Sequence, residues 1–272
     1  MADNLETALY VVATPIGNLE DITLRAIDVL KKVDVIAAED TRNTSVLLEK
    51  YSITTRLISY HKYSENSRVE LFLNYLQEGK SIALVSDAGT PLISDPGAVL
   101  VEAVKKEGFK VIPIVGASAV IGLLSAIPRI DEDFKFIGFL PKVKNQIVEI
   151  VSKNNSENLV FYESPNRLLE TLEVIQTEFP NKKVAIGREL TKKFEEIKVG
   201  EISSIIEYFK NNTLKGEIVA MLYKTQQQDE INLEEKIKKL KKLNLKDKEI
   251  SGILAELYDV NKNQVYKKCL EC

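Results

Sequence analysis

The stretch Ser81-Ile-Ala-Leu-Val-Ser-Asp-Ala-Gly-Thr-Pro-Leu-Ile-Ser-Asp-Pro-Gly97 joins an apolar run directly to a long polar loop. The run Ser81–Ser86 has the length and the apolar character of a buried strand. The loop after it holds two prolines, two glycines and two aspartates. Because ordering such a loop costs conformational entropy and buries little apolar surface, a purely structural role explains it poorly. We expect Asp87 to contact a ligand, and Asp95 to cap the next helix with Pro96 in its first turn.

Strands and helices alternate on both sides of this stretch. The predicted strands of the first half are Leu9–Ala13, Val33–Ala38, Ser81–Ser86 and Phe109–Val115, and the predicted helices are Thr23–Lys32, Val69–Glu78 and Pro96–Glu107. Thr23 has the position and the side chain of an N-cap residue. Strands separated by helices imply parallel β-α units and a sheet covered on both faces. The sequence therefore predicts an α/β fold.

The alternation is looser in the second half. Predicted strands are Phe134–Leu140, Leu159–Glu163, Lys183–Arg188 and Glu217–Lys224, with helices at Val143–Ser152 and Pro165–Glu178. The change of rhythm places a boundary near residue 115, which gives one α/β domain at 1–115 and a second at 116–225. Three short helical patterns follow a polar linker and predict a small helical domain at 230–272.

Composition and charge bound the function. The chain has 272 residues, 44% of them hydrophobic, which is typical of a folded protein. The net charge is −3, but residues 231–272 hold ten lysines against seven acidic residues. This basic tail favours two readings equally, a nucleic-acid contact or a solvated helical cap. The two cysteines, Cys269 and Cys272, are too few for a disulfide framework or a four-ligand zinc site.

Several functional classes are disfavoured by the motifs that are missing. The first loop, Ala13-Thr-Pro-Ile-Gly-Asn18, lacks the dinucleotide-binding G-x-G-x-x-G pattern, and no phosphate-binding G-x-x-x-x-G-K-[ST] occurs. The single histidine, His61, has neither a nucleophile elbow nor a carboxylate cluster to work with, so we expect it at the surface or facing a substrate. The N-terminus is acidic without an apolar signal core, which predicts a cytoplasmic protein without a membrane partner.

Polar or small residues follow three more of the predicted strands. These segments are Gly116-Ala-Ser-Ala119, Tyr162-Glu-Ser-Pro-Asn-Arg167 and Arg188-Glu-Leu-Thr-Lys-Lys193. In parallel α/β sheets, ligands bind where the strands end. The two charged loops, in matching positions, favour a shared polar cleft. Taken alone, each of them could also be solvated surface charge, and the small residues at 116–119 could serve close packing of a helix on a strand.

Taken together, the loops resemble one known superfamily. The relevant segments are Thr14–Leu19, Asp21–Ala26, Glu39–Arg42, Ser86–Gly97, Gly138–Pro141, Tyr162–Arg167, Glu189–Lys192 and Lys215–Glu217. They resemble the tetrapyrrole-methylase superfamily, and within it the branch that methylates cytidine 2′-hydroxyls of small-subunit ribosomal RNA. Porphyrin-precursor methylases carry G-x-G-P-G-D in the first loop. The different loop of this chain disfavours a tetrapyrrole substrate.

The resemblance implies two α/β domains with S-adenosylmethionine in the cleft between them, and a homodimer. We expect no metal site, because one histidine without a compact carboxylate cluster disfavours a histidine-dependent metal centre. It implies cofactor contacts at Pro15, Ser86, Asp87, Ala88, Ile93, Ser118, Ala119 and Tyr162. A ribose hydroxyl is a weak nucleophile, so a base or a cation near it would help; the candidates are Glu189, Lys192, Glu163 and Arg167. The candidate RNA-binding residues are Arg42, Lys142, Lys144, Lys262, Lys267 and Lys268, the last three on a tail with helix–turn–helix rhythm.

Two rival functions remain at this point. One is a methyltransferase acting on a tetrapyrrole or another small molecule. The other is a non-catalytic RNA-binding factor in ribosome assembly, which would keep the α/β scaffold but need not bind a cofactor.

Overall fold

The computed structural model describes residues 5–61, 65–128, 133–225, 233–243, 245–258 and 261–271. The chain divides into two compact units, Met1–Lys224 and Thr225–Cys272. Within the described ranges, none of the helices is both long and apolar enough to cross a membrane.

The first five strands form a parallel sheet, as predicted. They are β1 (Ala8–Val12), β2 (Val35–Ala38), β3 (Arg56–Ser59), β4 (Ile82–Val85) and β5 (Lys110–Ile114), in the order β3-β2-β4-β1-β5. The helices are α1 (Leu24–Lys32), α2 (Thr41–Lys50), α3 (Glu65–Gln77) and α4 (Ala98–Lys106). Alternate residues of each strand enter two separate cores, one with α1 and α2 and one with α3 and α4. The sheet is therefore covered on both faces.

The other five strands form a mixed sheet in the same unit. They are β6 (Lys135–Phe139), β7 (Leu159–Glu163), β8 (Lys183–Arg188), β9 (Glu196–Glu201) and β10 (Ile218–Leu222), in the order β6-β7-β10-β8-β9. Only β6 and β7 pair in parallel. The helices are α5 (Ala119–Ser125), α6 (Lys144–Lys153), α7 (Pro165–Glu178) and α8 (Ile202–Lys210). Helices α6 to α8 pack on one face, and α5 packs on the other beside Ile16. The division into domains at residue 115 stays a prediction.

The described residues of the C-terminal unit form three helices, as the sequence pattern predicts. They are α9 (Leu233–Lys241), α10 (Asp247–Tyr258) and α11 (Lys262–Glu271). Their core is formed by Ile237, Ile250, Leu254, Val265 and Cys269. The Cys269 side chain thus contributes to packing, and Cys272 lies outside the described residues.

Capping predictions have different outcomes at two helices. Thr23 is the N-cap of α1, and its side chain accepts a hydrogen bond from the Ala26 amide at 3.1 Å, as expected. The prediction for Asp95 and Pro96 is wrong, because α4 begins at Ala98 with Gly97 as its N-cap and no side-chain capping bond. Gly97 has φ +135°, a conformation that turns the chain between Asp95 and the helix. Asp95 therefore does not cap α4, and its side chain is available for other contacts.

The predicted elements omit four that the structure contains, β3, α2, β9 and α8. Helix α2 has a polar, threonine-rich first half and is fixed by Asp40, whose side chain caps it at the Arg42 amide. Strand β9 is a half-buried edge strand that pairs with β8 alone. Edge strands lack the continuous apolar run on which strand prediction depends.

We expect Gly97→Ala to lower the unfolding free energy more than Gly108→Ala does. Gly108→Ala places a side chain in open space at φ +81°, so it should cost about 1–2 kcal/mol of unfolding free energy from backbone strain alone. Gly97→Ala places Cβ within 2.8 Å of Leu84 Cδ2 and 2.9 Å of Leu92 Cδ1. We expect Gly97→Ala to lower the unfolding free energy by about 1–3 kcal/mol more than backbone strain does, because the side chain overpacks this site. Denaturant unfolding measures both, and equal losses would contradict the packing argument.

Candidate functional site

Two loops meet at the carboxyl ends of β1 and β4. The Thr14 amide donates to the Gly89 carbonyl at 2.8 Å, and the Gly89 amide donates back to Thr14 at 3.1 Å. The Thr14 hydroxyl also donates to the Ser86 carbonyl at 3.2 Å. These bonds fix the first loop against the long polar loop, so that residues far apart in sequence share one wall.

A cavity of about 370 Å³ opens beside this wall. Its lining residues come from both loops, from α5 and its N-cap, and from the ends of β6, β7, β8 and β10; they are Ile16, Ala88, Gly89, Thr90, Ile93, Ser94, Asp95, Ser118, Ala119, Phe139, Tyr162, Glu163, Ser164, Pro165, Gly187, Leu190, Gly216, Glu217, Ile218 and Val219. We call it the first cavity. Among the described residues, three carboxylates and no lysine or arginine line it. A mostly apolar pocket with a few acceptor groups suits a ligand that carries positive charge.

A second cavity of about 410 Å³ adjoins the first. Its lining residues are Thr14, Pro15, Ile16, Gly17, Leu19, Asn43, Thr44, Leu47, Ser86, Asp87, Ala88, Lys192 and Glu217. Ile16, Ala88 and Glu217 line both cavities. These three residues form a wall that the two spaces share. The second cavity is lined by a lysine as well as by carboxylates.

The eight expected cofactor residues divide between these cavities. Ala88, Ile93, Ser118, Ala119 and Tyr162 line the first cavity. Pro15, Ser86 and Asp87, together with Ala88, line the second. The structure thus brings all eight to two adjoining spaces, and their roles as cofactor contacts stay predictions.

Asp95 is the polar residue of the first cavity that sequence reasoning misassigned. Burial, together with the nearby Glu39 carboxylate, raises the pKa of its carboxyl to about 6, although a hydrogen bond from the Ser86 side chain acts in the opposite direction. Burial and Asp95 together also raise the pKa of the Tyr162 phenol. Perturbed acids in a cleft are candidates for function. The signal in the sequence was the second aspartate of the polar loop, but its spacing before a helix imitates a cap.

Glu163 and Arg167 form a buried support at the floor of the first cavity. The Glu163 side chain is fully buried, and it accepts hydrogen bonds from the Thr171 hydroxyl at 2.9 Å and the Ser164 amide at 2.8 Å. Arg167 lies 3.4 Å from the same carboxylate and donates to the carbonyls of Leu140 and Pro141. These contacts indicate that the pair holds the loop after β6.

Lys192 lies at the centre of an ion cluster next to the shared wall. Its Nζ lies 2.8 Å from Glu189 Oε1 and 3.0 Å from Glu217 Oε2. Although burial opposes both changes, these contacts hold the pKa of Lys192 above and that of Glu189 below their usual values. Its stem also packs on Gly17, where a Cβ would come within 2.5 Å of Lys192 Cγ. Glu217, which sequence reasoning did not select, completes the cluster with a side chain that is 71% exposed.

A family model described as Tetrapyrrole (Corrin/Porphyrin) Methylases matches residues 8–206. The chain belongs to this family. Two solved structures share the fold of the methylase at about 15% identity: diphthine synthase, with a TM-score of 0.65 over 80% of this chain and 90% of that one, and cobalt precorrin-4 methyltransferase, with 0.61 over 80% and 95%. The predicted fold class is confirmed.

Curated relatives of this methylase share one name, "Ribosomal RNA small subunit methyltransferase I". The protein of Escherichia coli O157:H7 is 41% identical over 277 residues, covering 99% of this chain and 97% of that protein. The protein of Halalkalibacterium halodurans is 48% identical and covers 77% and 73%, and that of Bacillus subtilis is 46% identical and covers 77% and 72%.

The expected RNA-binding cations of this methylase lie at the surface. Arg42 is 88% exposed and binds both oxygens of Asp40. Lys142 is exposed, and Lys144 pairs with Glu170 at 3.3 Å. In the C-terminal unit, Lys262, Lys267 and Lys268 are exposed on α11. His61 is exposed too, which agrees with its predicted surface position.

The raised pKa of Asp95 predicts a pH-dependent effect of Asp95→Asn. The pKa of this carboxyl is near its ordinary value of 3.8 in the unfolded chain, and about 6 in the folded methylase. Between these values the folded state holds the proton more tightly, so the wild type loses stability as the pH rises, and the loss is complete above about 6. The asparagine does not titrate.

We therefore expect the unfolding free energy of Asp95→Asn, relative to wild type, to be higher at pH 7.5 than at pH 4.5. Denaturant unfolding at the two pH values measures this difference. Ser94→Ala, a neighbouring substitution that removes no titrating group, is the control. If the difference in unfolding free energy between Asp95→Asn and the wild type is equal at both pH values, Asp95 does not titrate as described.

Proposed function

We propose that this methylase transfers a methyl group from S-adenosylmethionine to a cytidine ribose 2′-hydroxyl of small-subunit ribosomal RNA. The observation that carries the proposal is the 41% identity to a small-subunit rRNA methyltransferase over 99% of the chain, C-terminal helices included. The pair of adjoining cavities supports it, because methyl transfer needs a donor site and an acceptor site in contact. The first loop, which departs from the porphyrin-precursor pattern, argues against a tetrapyrrole acceptor.

The first cavity fits the donor. S-adenosylmethionine has a sulfonium and an ammonium group against one carboxylate, so its net charge is positive. The lining of the cavity offers carboxylates and no lysine or arginine among the described residues, and its apolar walls can hold an adenine ring. Its volume of about 370 Å³ lies in the range of small-molecule sites. Ile93, Ala119 and Tyr162 would line the cofactor, and Asp95 would face its positive charge.

When bound, the cofactor would supply a methyl group activated by its sulfonium, with the neutral thioether as the leaving group, in exchange for the proton of the ribose hydroxyl. The protein then has to place the hydroxyl in line and stabilise the charge on its oxygen. Lys192 lies beside the wall that both cavities share, and Glu189 and Glu217 keep it protonated. It is our candidate for stabilising the oxygen, with Glu217 as the acceptor of the proton.

Glu163 and Arg167 take a different part in this proposal. Their hydrogen bonds are used within the protein, on α7 and on the loop after β6. That loop follows Phe139, the last residue of β6, which lines the first cavity, and it carries Lys142 on the surface. We assign the pair to positioning of the loop.

The deciding experiment compares acceptors. Purified protein is incubated with labelled S-adenosylmethionine and either small ribosomal subunits from cells that lack the methyltransferase or porphyrin precursors. Label in the RNA, located at a cytidine ribose after nuclease digestion, is the expected result. Label in the porphyrin would support a small-molecule methyltransferase. If calorimetry detects no binding of S-adenosylmethionine, that result would support a non-catalytic assembly factor.

Lys192→Ala should lower turnover on small subunits on the order of 100-fold, because it removes the cation beside the developing charge. The cofactor affinity, measured by calorimetry, should stay near the wild-type value, since Lys192 lines the second cavity and not the first. Lys193→Ala removes the same charge from the next, exposed position and serves as the control. Equal turnover of both variants would refute the role of Lys192.

The tail is proposed to dock on RNA, and the protein is proposed to act as a cytoplasmic homodimer. A triple Lys262/Lys267/Lys268→Ala variant should bind small subunits more weakly, with a salt dependence less steep by about two released ions. The charge-matched control replaces Lys31, Lys105 and Lys106, which are exposed near the C-termini of α1 and α4. Affinity measured against salt concentration distinguishes them. If both triple variants behave alike, the tail does not contact RNA.

A further inference from the structure

We propose that the ring of Phe194, in the loop after β8, stacks on an unpaired base of the RNA beside the ribose that accepts the methyl group. This inference rests on the proposed function and deepens it, because it names a side chain that holds a single-stranded part of the substrate. Phe194 belongs to neither cavity lining, and none of the roles described above uses it.

Phe194 is the most exposed aromatic residue in the part of the chain that the structure describes, at 66%. Most of the other described aromatic side chains are buried or half-buried, as the hydrophobic effect favours. The Lys193 ammonium lies 5.7 Å from the centroid of the ring, and the ring is still open to a further partner. Because isolated apolar residues are common at protein surfaces, the position of the ring has to identify that partner.

The loop that carries Phe194 is held by hydrogen bonds on both sides of the ring. The Glu195 amide donates to the Lys192 carbonyl at 3.0 Å, which closes a turn with Phe194 inside it. Thr191 Oγ1 accepts a hydrogen bond from the Asn18 amide at 3.0 Å, and the Thr191 amide donates to Glu195 Oε2 at 2.6 Å. The first loop therefore fixes this turn. A ring on a fixed support loses little conformational entropy when it binds.

The turn places the ring near the cation of the proposed reaction. Lys192 lines the second cavity, and Glu189 and Glu217 hold its ammonium group. Consecutive Cα atoms are 3.8 Å apart, so the Cα atoms of Lys192 and Phe194 are separated by at most about 7.6 Å. A base on the ring therefore belongs to the nucleotide whose ribose meets Lys192, or to one of its neighbours in the strand.

Transfer to a ribose hydroxyl creates a need for such a stacking partner. A nucleotide that enters an enzyme site leaves the base stack of its strand, and this unstacking costs free energy. An aromatic side chain recovers part of that cost, because every base has a face that stacks on it. Phe194 thus contributes affinity and orientation, and it leaves the choice of sequence to other contacts. The acceptor strand has to pass this point, which favours RNA over a ribosomal protein as the partner of the ring.

Two substitutions separate stacking from a general apolar contact. Leucine keeps an apolar side chain and removes the aromatic face, whereas tryptophan enlarges that face. Phe194→Leu should raise the KM for small ribosomal subunits about 5- to 100-fold, the effect of losing one stacked base. Its kcat and its affinity for S-adenosylmethionine, measured by calorimetry, should stay within about twofold of wild type, because a contact made equally before and during the reaction affects KM alone. Phe194→Trp should keep the wild-type KM.

The matched control is Phe134→Leu. Phe134 is also an exposed phenylalanine, at 39%, and it precedes β6, whose other end at Phe139 lines the first cavity. The same chemical change at this remote end of the strand should leave the KM for small subunits unchanged.

A second measurement does not depend on turnover. The sequence contains no tryptophan, so Phe194→Trp introduces the only one. A stacked base quenches the fluorescence of an indole ring. Titration with small ribosomal subunits should therefore lower the emission of the Phe194→Trp variant, and the emission of a Phe134→Trp variant should not change.

Three results would overturn the inference. A wild-type KM in Phe194→Leu would leave at most an apolar contact, such as one with a ribosomal protein. A raised KM that is equally high in Phe194→Trp would assign the ring to the packing of its own loop. Unchanged emission of Phe194→Trp, in the presence of bound subunits, would exclude a stacked base. By contrast, quenching in a protein whose wild type methylates no subunit would remove the proposed function and retain the base contact.

Discussion

The paired main-chain hydrogen bonds between Thr14 and Gly89 hold the site together. Strands β1 and β4 are neighbours, so their carboxyl ends lie side by side, but loops at such ends are free to diverge. The bridge removes that freedom by joining the two loops in both directions. Ile16 and Ala88 come to line both cavities because of it. The position of one cavity directly beside the other depends on these shared residues.

The two cavities differ in the charged residues that line them. The first has carboxylates without a lysine or arginine in its described lining, and burial makes Asp95 costly to ionise. A cationic ligand would relieve that cost. The second has Lys192 held between two glutamates, a cation that stays protonated and can meet a developing negative charge. The two adjoining cavities thus differ: the first has a surface suited to a positive donor, and the second has one suited to an oxygen nucleophile.

Buried polar pairs supply the rigidity that this arrangement needs. Glu163 satisfies both of its oxygens within the protein and fixes Arg167, which in turn fixes two carbonyls of the loop after β6. A buried carboxylate without such partners would be strongly destabilising. Charged residues after a strand can therefore serve the scaffold as easily as the reaction, and sequence position does not distinguish the two.

The sequence by itself determined the fold class, the first parallel sheet, most helix bounds, the Thr23 cap and the family, because these depend on local periodicity and on motifs that are contiguous in the chain. It did not determine α2, β9 or the cap of α4, whose formation depends on partners elsewhere or on the φ of Gly97. Only the tertiary structure decided which strand-end loops meet. It turned Asp95 into the first cavity, placed Asp87 on the second, and brought Glu217 to Lys192 across 25 residues of chain. The physical reason is that burial and charge pairing act through space, and spacing along the chain does not record them.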